Sequence, residues 1–126
     1  GLSHFSICSD LWAIHGWSMA KNFAQKNLEA LRGAKSLVSG HCHRVQSVTE
    51  RDPVSGKLVH SWSPGCLSAL QPAWMHANGP TLWSHGVSIA FCEDACLTKP
   101  NPRWTPYTIS ISRGEATLPG GTSLHV

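Results

Sequence analysis

Apolar and polar positions change their period several times along the chain, and each change marks an element. Leu11 to Ile14 is a short apolar run entering His15-Gly16, which predicts a strand ending in a loop. From Ala20 to Leu31 the residues Ala20, Phe23, Ala24, Leu28 and Leu31 recur at helical spacing. Ser18 stands where a cap would precede that helix, and Gly33 where a left-handed stop would follow it. Ser36 to Ser39 reads as a short buried strand running into Gly40.

Two strands are then predicted over 44–49 and 57–62. Between them Asp52-Pro53-Val54-Ser55-Gly56 places Pro and Gly where a hairpin turn wants them. Residues 68–84 have no period, because Pro72, Gly79 and Pro80 interrupt it. Val87, Ile89 and Phe91 alternate with small residues and predict a strand over 86–92. A further strand is expected at 107–112, and the Gly- and Ser-rich tail 114–126 reads as loose. The order strand, helix, strand, hairpin, strand predicts an α+β domain with one main amphipathic helix and a mostly antiparallel sheet. Residues 1–98 are expected to form the domain and 99–126 a Pro/Gly/Ser-rich extension.

Composition narrows the class. The chain has 126 residues, 41% hydrophobic, with six Trp, enough apolar surface for one folded core. No run approaches the roughly 18–20 apolar residues of a membrane span. The first ten residues lack a basic region followed by an apolar stretch, so they do not read as a signal peptide. Five cysteines, an odd number, fit reduced thiols and a cytoplasmic setting better than a disulfide framework. Ten Lys and Arg are dispersed, without the cluster that tracks a phosphate backbone, so nucleic acid enters only as a possible substrate. Eight His against seven Asp plus Glu is the unusual ratio, and imidazole is the commonest metal ligand.

The chemistry concentrates at Gly40-His41-Cys42-His43-Arg44, directly after a buried strand. A tight turn there brings both imidazoles inward, with Gly40 expected to take the conformation other residues resist. His15-Gly16, also at a strand end, is the natural third member.

These residues resemble the C-terminal half of a calcineurin-like metallophosphoesterase, whose last two signatures are a His-Gly after one strand and a Gly-His-x-His after the next. Trp62-Ser63-Pro64-Gly65-Cys66-Leu67 and Trp83-Ser84-His85-Gly86-Val87 resemble the corresponding strand ends of phage and bacterial members. The resemblance implies one sheet of a two-sheet αββα sandwich. It implies that His15 and His41 ligate one ion of a dinuclear centre (Mn, Zn or Fe) and His43 the other. Cys42 stands where the family usually has Thr or Ser, as a neutral substitute or a soft ligand. Arg44 has two readings, a contact to substrate phosphate or a surface residue starting a strand.

The family's Asp-x-His, Gly-Asp and Gly-Asn-His signatures do not occur in this chain. Two cations a few ångströms apart repel, and a bridging carboxylate normally offsets that. The resemblance therefore implies a phosphoesterase half that is inactive alone and completed by an N-terminal half or by another copy of the chain. The alternative is a non-enzymatic binding or assembly module on the same fold.

Cys92 and Cys96, with His85 upstream, have the spacing of half a zinc site but lack a second pair. The expectation is that Cys92 is buried on a strand and Cys96 lies in the next loop. His4, His60, His76 and His125 follow no ligand spacing. Trp62, Trp74, Trp83 and Trp104 are read as core. No Gly-x-Ser-x-Gly elbow and no Gly-rich phosphate loop is present.

Overall fold

The computed structural model describes residues 3–31 and 35–126. The predicted stop at Gly33 lies outside the described residues. The chain runs β1 (Phe5–Cys8), β2 (Leu11–Ile14), α1 (Phe23–Ala30), β3 (Ser36–Ser39), β4 (Val45–Arg51) and β5 (Leu58–Pro64). A 3-10 helix (Ala73–Asn78) follows, then β6 (His85–Cys92), β7 (Trp104–Ile111), β8 (Glu115–Thr117) and β9 (Ser123–His125). Among the described residues it is a mixed fold with one α-helix and mostly sheet.

The first five strands form one sheet in the order β1-β2-β3-β5-β4. Its two central pairings, β2 with β3 and β3 with β5, are parallel, and the outer two are antiparallel. The expectation of a mostly antiparallel sheet thus holds for the hairpins but not for the centre. Parallel neighbours need a crossover, and α1 supplies the one from β2 to β3.

Alternation along the strands divides the sheet into two faces. Leu37, Ser39, Val59 and Ser61 face α1, which buries Phe23, Ala24, Asn27 and Leu28 against them. Small serines let the helix approach closely: Ser61 Oγ donates to the Ala24 carbonyl at 2.8 Å and Asn27 Nδ2 donates to Ser39 Oγ at 3.2 Å. Removal of the Leu28 side chain, fully buried here, would cost about 2–5 kcal/mol. On the other face Leu11 and Trp62 pack with Cys8, Val38 and Trp104.

α1 is shorter than predicted at both ends. Ser18 Oγ accepts from the Ala20 N–H at 3.2 Å and so organises the lead-in rather than the helix. The helix starts at Phe23, where Gln46 of β4 accepts the Ala24 N–H at 2.8 Å and donates to the Lys21 carbonyl at 2.8 Å. A residue from a distant strand thus does the work expected of a local cap.

The second sheet is the hairpin of β6 and β7, paired from His85↔Ile111 to Cys92↔Trp104, so it spans the expected boundary at 98/99. β7 begins three residues before its predicted start and carries Pro106, which a strand with β6 as its ladder neighbour in a two-stranded sheet tolerates. The tail is not loose: β8 and β9 pair across the turn at 118–122. Strand β1 was not predicted: it is four residues long and its first two positions, Phe5 and Ser6, are solvent-exposed. Among the tryptophans, Trp62 is core, whereas Trp74 is 71% exposed.

Candidate metal centre

β2 and β3 run side by side in register, Ile14 opposite Ser39, so the residues that leave their carboxyl ends emerge together. The Gly40 N–H donates to the His15 carbonyl at 3.1 Å and locks the two exits. His15 Nε2 then lies 2.9 Å from His41 Nδ1, with the rings edge to face. One ring donates to the other, in the sense its tautomer sets. His15 is exposed and His41 half-buried, so the pair opens to solvent.

Gly40 is not what bends the turn. His41 (φ 70°) and His43 (φ 57°) themselves occupy the left-handed region, while Gly40 does not. Histidine is among the residue types enriched there, and such conformations concentrate at functional sites. Gly16, at φ +98°, does use glycine's freedom, with Asn27 Nδ2, Ser39 and His41 all 3.5 Å from where a Cβ would stand.

His43 points elsewhere. Its ring packs edge-on to Trp83 with centroids 4.3 Å apart. Its backbone carbonyl accepts the Ser84 N–H at 2.9 Å, and Ser84 Oγ accepts the Val45 N–H at 2.8 Å. Its Nδ1 is buried with no hydrogen-bond partner. A buried, unsatisfied imidazole nitrogen is costly, and a cation or a water is what normally relieves it. The described residues do not gather His15, His41 and His43 into one three-ligand group.

Cys42 is buried and its thiol donates to the Ser18 carbonyl at 3.0 Å, as a Thr or Ser hydroxyl would. Arg44 also turns toward the helix side: its guanidinium donates to the Ala20 carbonyl at 3.1 Å and lies 5.1 Å over the Phe23 ring. That is structural use of the side chain, and the geometry gives no contact that would aim it at a phosphate.

No carboxylate joins the two imidazoles in a three-ligand group among the described residues. Asp10 precedes β2, at the end of the strand opposite His15, and is tied to Lys57 Nζ at 2.9 Å and Trp104 Nε1 at 2.8 Å. A cavity of about 640 Å³ opens at that same end, between Asp10, Lys57, His60 and Trp104, and none of the three histidines lines it. The cavity therefore lies at the end of the sheet opposite the His15–His41 pair.

The fit of a cation to the histidine end can be judged on distances. Two imidazole nitrogens bound at about 2.0–2.1 Å in a tetrahedral shell stand roughly 3.3–3.4 Å apart. His15 and His41, hydrogen-bonded at 2.9 Å, stand closer than that and would have to part to take an ion, and the orphaned His43 Nδ1 is nearby in sequence but not in the same group.

Neither family models, curated proteins nor solved structures give a match to this chain.

Proposed function

We propose that the chain is the C-terminal half of a metal-dependent phosphoesterase, one sheet of a two-sheet αββα sandwich, with the rest of its active site supplied by residues outside this sequence. The observation that carries the reading is the 2.9 Å approach of His15 to His41 at the carboxyl ends of adjacent parallel strands. In open α/β sheets that edge is where ligands bind. The split between this pair and His43 agrees with two ions sharing the three histidines rather than one.

His15 and His41 would hold one divalent ion and His43 the second, and such a pair supplies a nucleophile and charge stabilisation for in-line attack at phosphorus. Gly16 keeps the floor of the site open, Cys42 pins the 16–20 segment under it, and Trp83 shields the outer side of His43. Arg44 anchors the helix lead-in through the Ala20 carbonyl.

The test is Mn²⁺ titration of the chain followed by histidine NMR, with hydrolysis of bis(p-nitrophenyl) phosphate as the activity readout. Mn²⁺ is expected to broaden the His15 and His41 resonances together. Chelator-sensitive hydrolysis is expected only when the chain is combined with a polypeptide carrying Asp-x-His, Gly-Asp and Gly-Asn-His. Unchanged His15 and His41 resonances at millimolar Mn²⁺ would end the proposal.

A second reading, a non-enzymatic assembly module, has one observation in its favour. Edge strand β1 presents Phe5 at 71% exposure, an apolar side chain beside unpaired backbone groups. Replacing His41 and His43 by Ala would leave such assembly intact and would abolish the phosphoesterase.

A further inference from the structure

Three cysteines far apart in sequence meet where β1 ends against the second hairpin. Cys8 closes β1, Cys92 closes β6, and Cys96 lies in the turn that follows. Their sulfurs all lie within 4.8 Å of one another, with Cys8 and Cys92 at 3.4 Å. Cys8 is fully buried, Cys96 half-buried and Cys92 exposed, so the cluster has a floor in the core and a mouth at the surface. This corrects the expectation of a buried Cys92. His85 is not part of the group, for it begins the strand that Cys92 ends and its Nε2 bonds the Ser68 carbonyl at 2.7 Å.

We propose that Cys8, Cys92 and Cys96 form a thiolate site for zinc, with solvent as the fourth ligand, that clamps β1 to the hairpin turn. Zinc–sulfur bonds of about 2.3 Å in a tetrahedron set the sulfur–sulfur edge at about 3.8 Å. The observed triangle, from 3.4 Å to at most 4.8 Å, brackets that edge. A disulfide would require one pair to close to about 2.04 Å and would leave the third thiol beside it unused. The Cys-x₃-Cys spacing of 92 and 96 lies within the range that zinc ligands from one turn use.

The surrounding backbone is arranged before any ion arrives. The Ser9 N–H donates to the Cys96 carbonyl at 2.9 Å, and Ser9 Oγ donates to the Lys99 carbonyl at 2.7 Å. Cys96 Sγ lies 3.5 Å from the Ile7 carbonyl. Ala95, at φ 60°, takes a left-handed conformation unusual for a residue with a Cβ, and this folds Cys96 back toward Cys92. Glu93, between the cysteines, is held by Lys99 at 3.0 Å and Arg103 at 3.3 Å, which keeps its carboxylate out of the ligand set. Burial, reinforced by the neighbouring thiols, pushes the Cys8 thiol well above its ordinary range, so without a cation it stays protonated. A bound zinc ion would displace those protons and bridge segments 84 residues apart.

The experiment uses the full chain, stripped by chelator under a phosphine reductant and titrated with Co²⁺ and then Zn²⁺. Expected are a thiolate-to-cobalt charge-transfer band that saturates at one Co²⁺ per thiol cluster, its bleaching by Zn²⁺, and a melting temperature raised by Zn²⁺. Cys92→Ser, at an exposed position and so expected to fold, should lose the band and weaken binding by more than the roughly 10–100-fold that an outer partner costs. Cys42→Ser, Cys66→Ser and His41→Ala should keep it, which separates this site from the histidine centre. Absence of the band in folded protein, its survival in Cys92→Ser, or a Cys8–Cys92 disulfide found by mass spectrometry in untreated protein would overturn the proposal.

Discussion

Gly65 passes so close to Ser84 that a Cβ on the glycine would collide with the Ser84 carbonyl oxygen. The contact joins the end of β5 to the start of β6, and it is reinforced by a hydrogen bond from the Cys66 N–H to the same oxygen at 3.0 Å. Ser84 in turn holds the backbone of His43, so this glycine sets the outer wall of the histidine site. Gly65 also sits at φ +87°, and both sterics and torsion oppose a side chain. Gly65→Ala is expected to cost about 3 kcal/mol or more, read by urea denaturation. Gly120→Ala, at φ +95° but with nothing within 4 Å, carries the torsional penalty alone, about 1–2 kcal/mol.

The two glycines of the histidine turns should behave in opposite ways. Gly16 has a left-handed φ of +98°, so Gly16→Ala should destabilise by about 1–2 kcal/mol. At Gly40 a Cβ would meet only the His15 carbonyl at 3.8 Å, an ordinary contact. Gly40→Ala should change stability by no more than about 0.5 kcal/mol. Denaturation midpoints of the two variants, measured side by side, check the contrast.

Trp104 couples the second hairpin to the main sheet through its indole N–H, which donates to Asp10 Oδ1 at 2.8 Å. Trp104→Phe keeps most of the ring but leaves the buried carboxylate one donor short. The expected loss is about 1–3 kcal/mol, seen as a lower urea midpoint with little change in slope.

His60 gives the fold a pH dependence on the acid side. Burial holds its imidazole below the ordinary 6.5, with Nδ1 3.0 Å from Thr49 Oγ1 and the ring edge-on to Trp104. Above pH 6.5 neither the folded nor the unfolded chain is protonated there, and the stability is fully present. As pH falls through 6.5 the unfolded chain takes up a proton first, so stability declines until the folded-state value is passed. His60→Gln should flatten that part of the urea-midpoint profile; an identical slope in the variant would assign the dependence to other groups.

Metal removal should separate the histidine pair from the fold. His41→Ala is expected to abolish Mn²⁺ broadening at His15 while shifting the denaturation midpoint little, because His41 is only half-buried.

Much of the local structure was legible in the chain. β2 and β3 lie where the apolar runs at 11–14 and 36–39 place them, and the Asp52–Gly56 turn joins β4 to β5 as its Pro and Gly require. The tail was misjudged because Glu115–Thr117 and Ser123–His125 expose nearly every side chain, so no apolar alternation marks them. Gly40 was credited with a torsion that His41 and His43 carry, since residue type gives only a preference for the left-handed region.

By itself the sequence determined where β2, β3, the β4–β5 hairpin, β6, the middle of α1 and the histidine turns fall, because hydrophobic period and turn chemistry act over a few neighbouring residues. Only the tertiary structure decided which of those pieces touch. His15 meets His41 because β2 and β3 pair in parallel at one register, and Cys8 meets Cys92 and Cys96 because β1 docks on a hairpin more than eighty residues away. Such pairings follow from burial summed over whole faces of a sheet, and no short window of residues contains that sum.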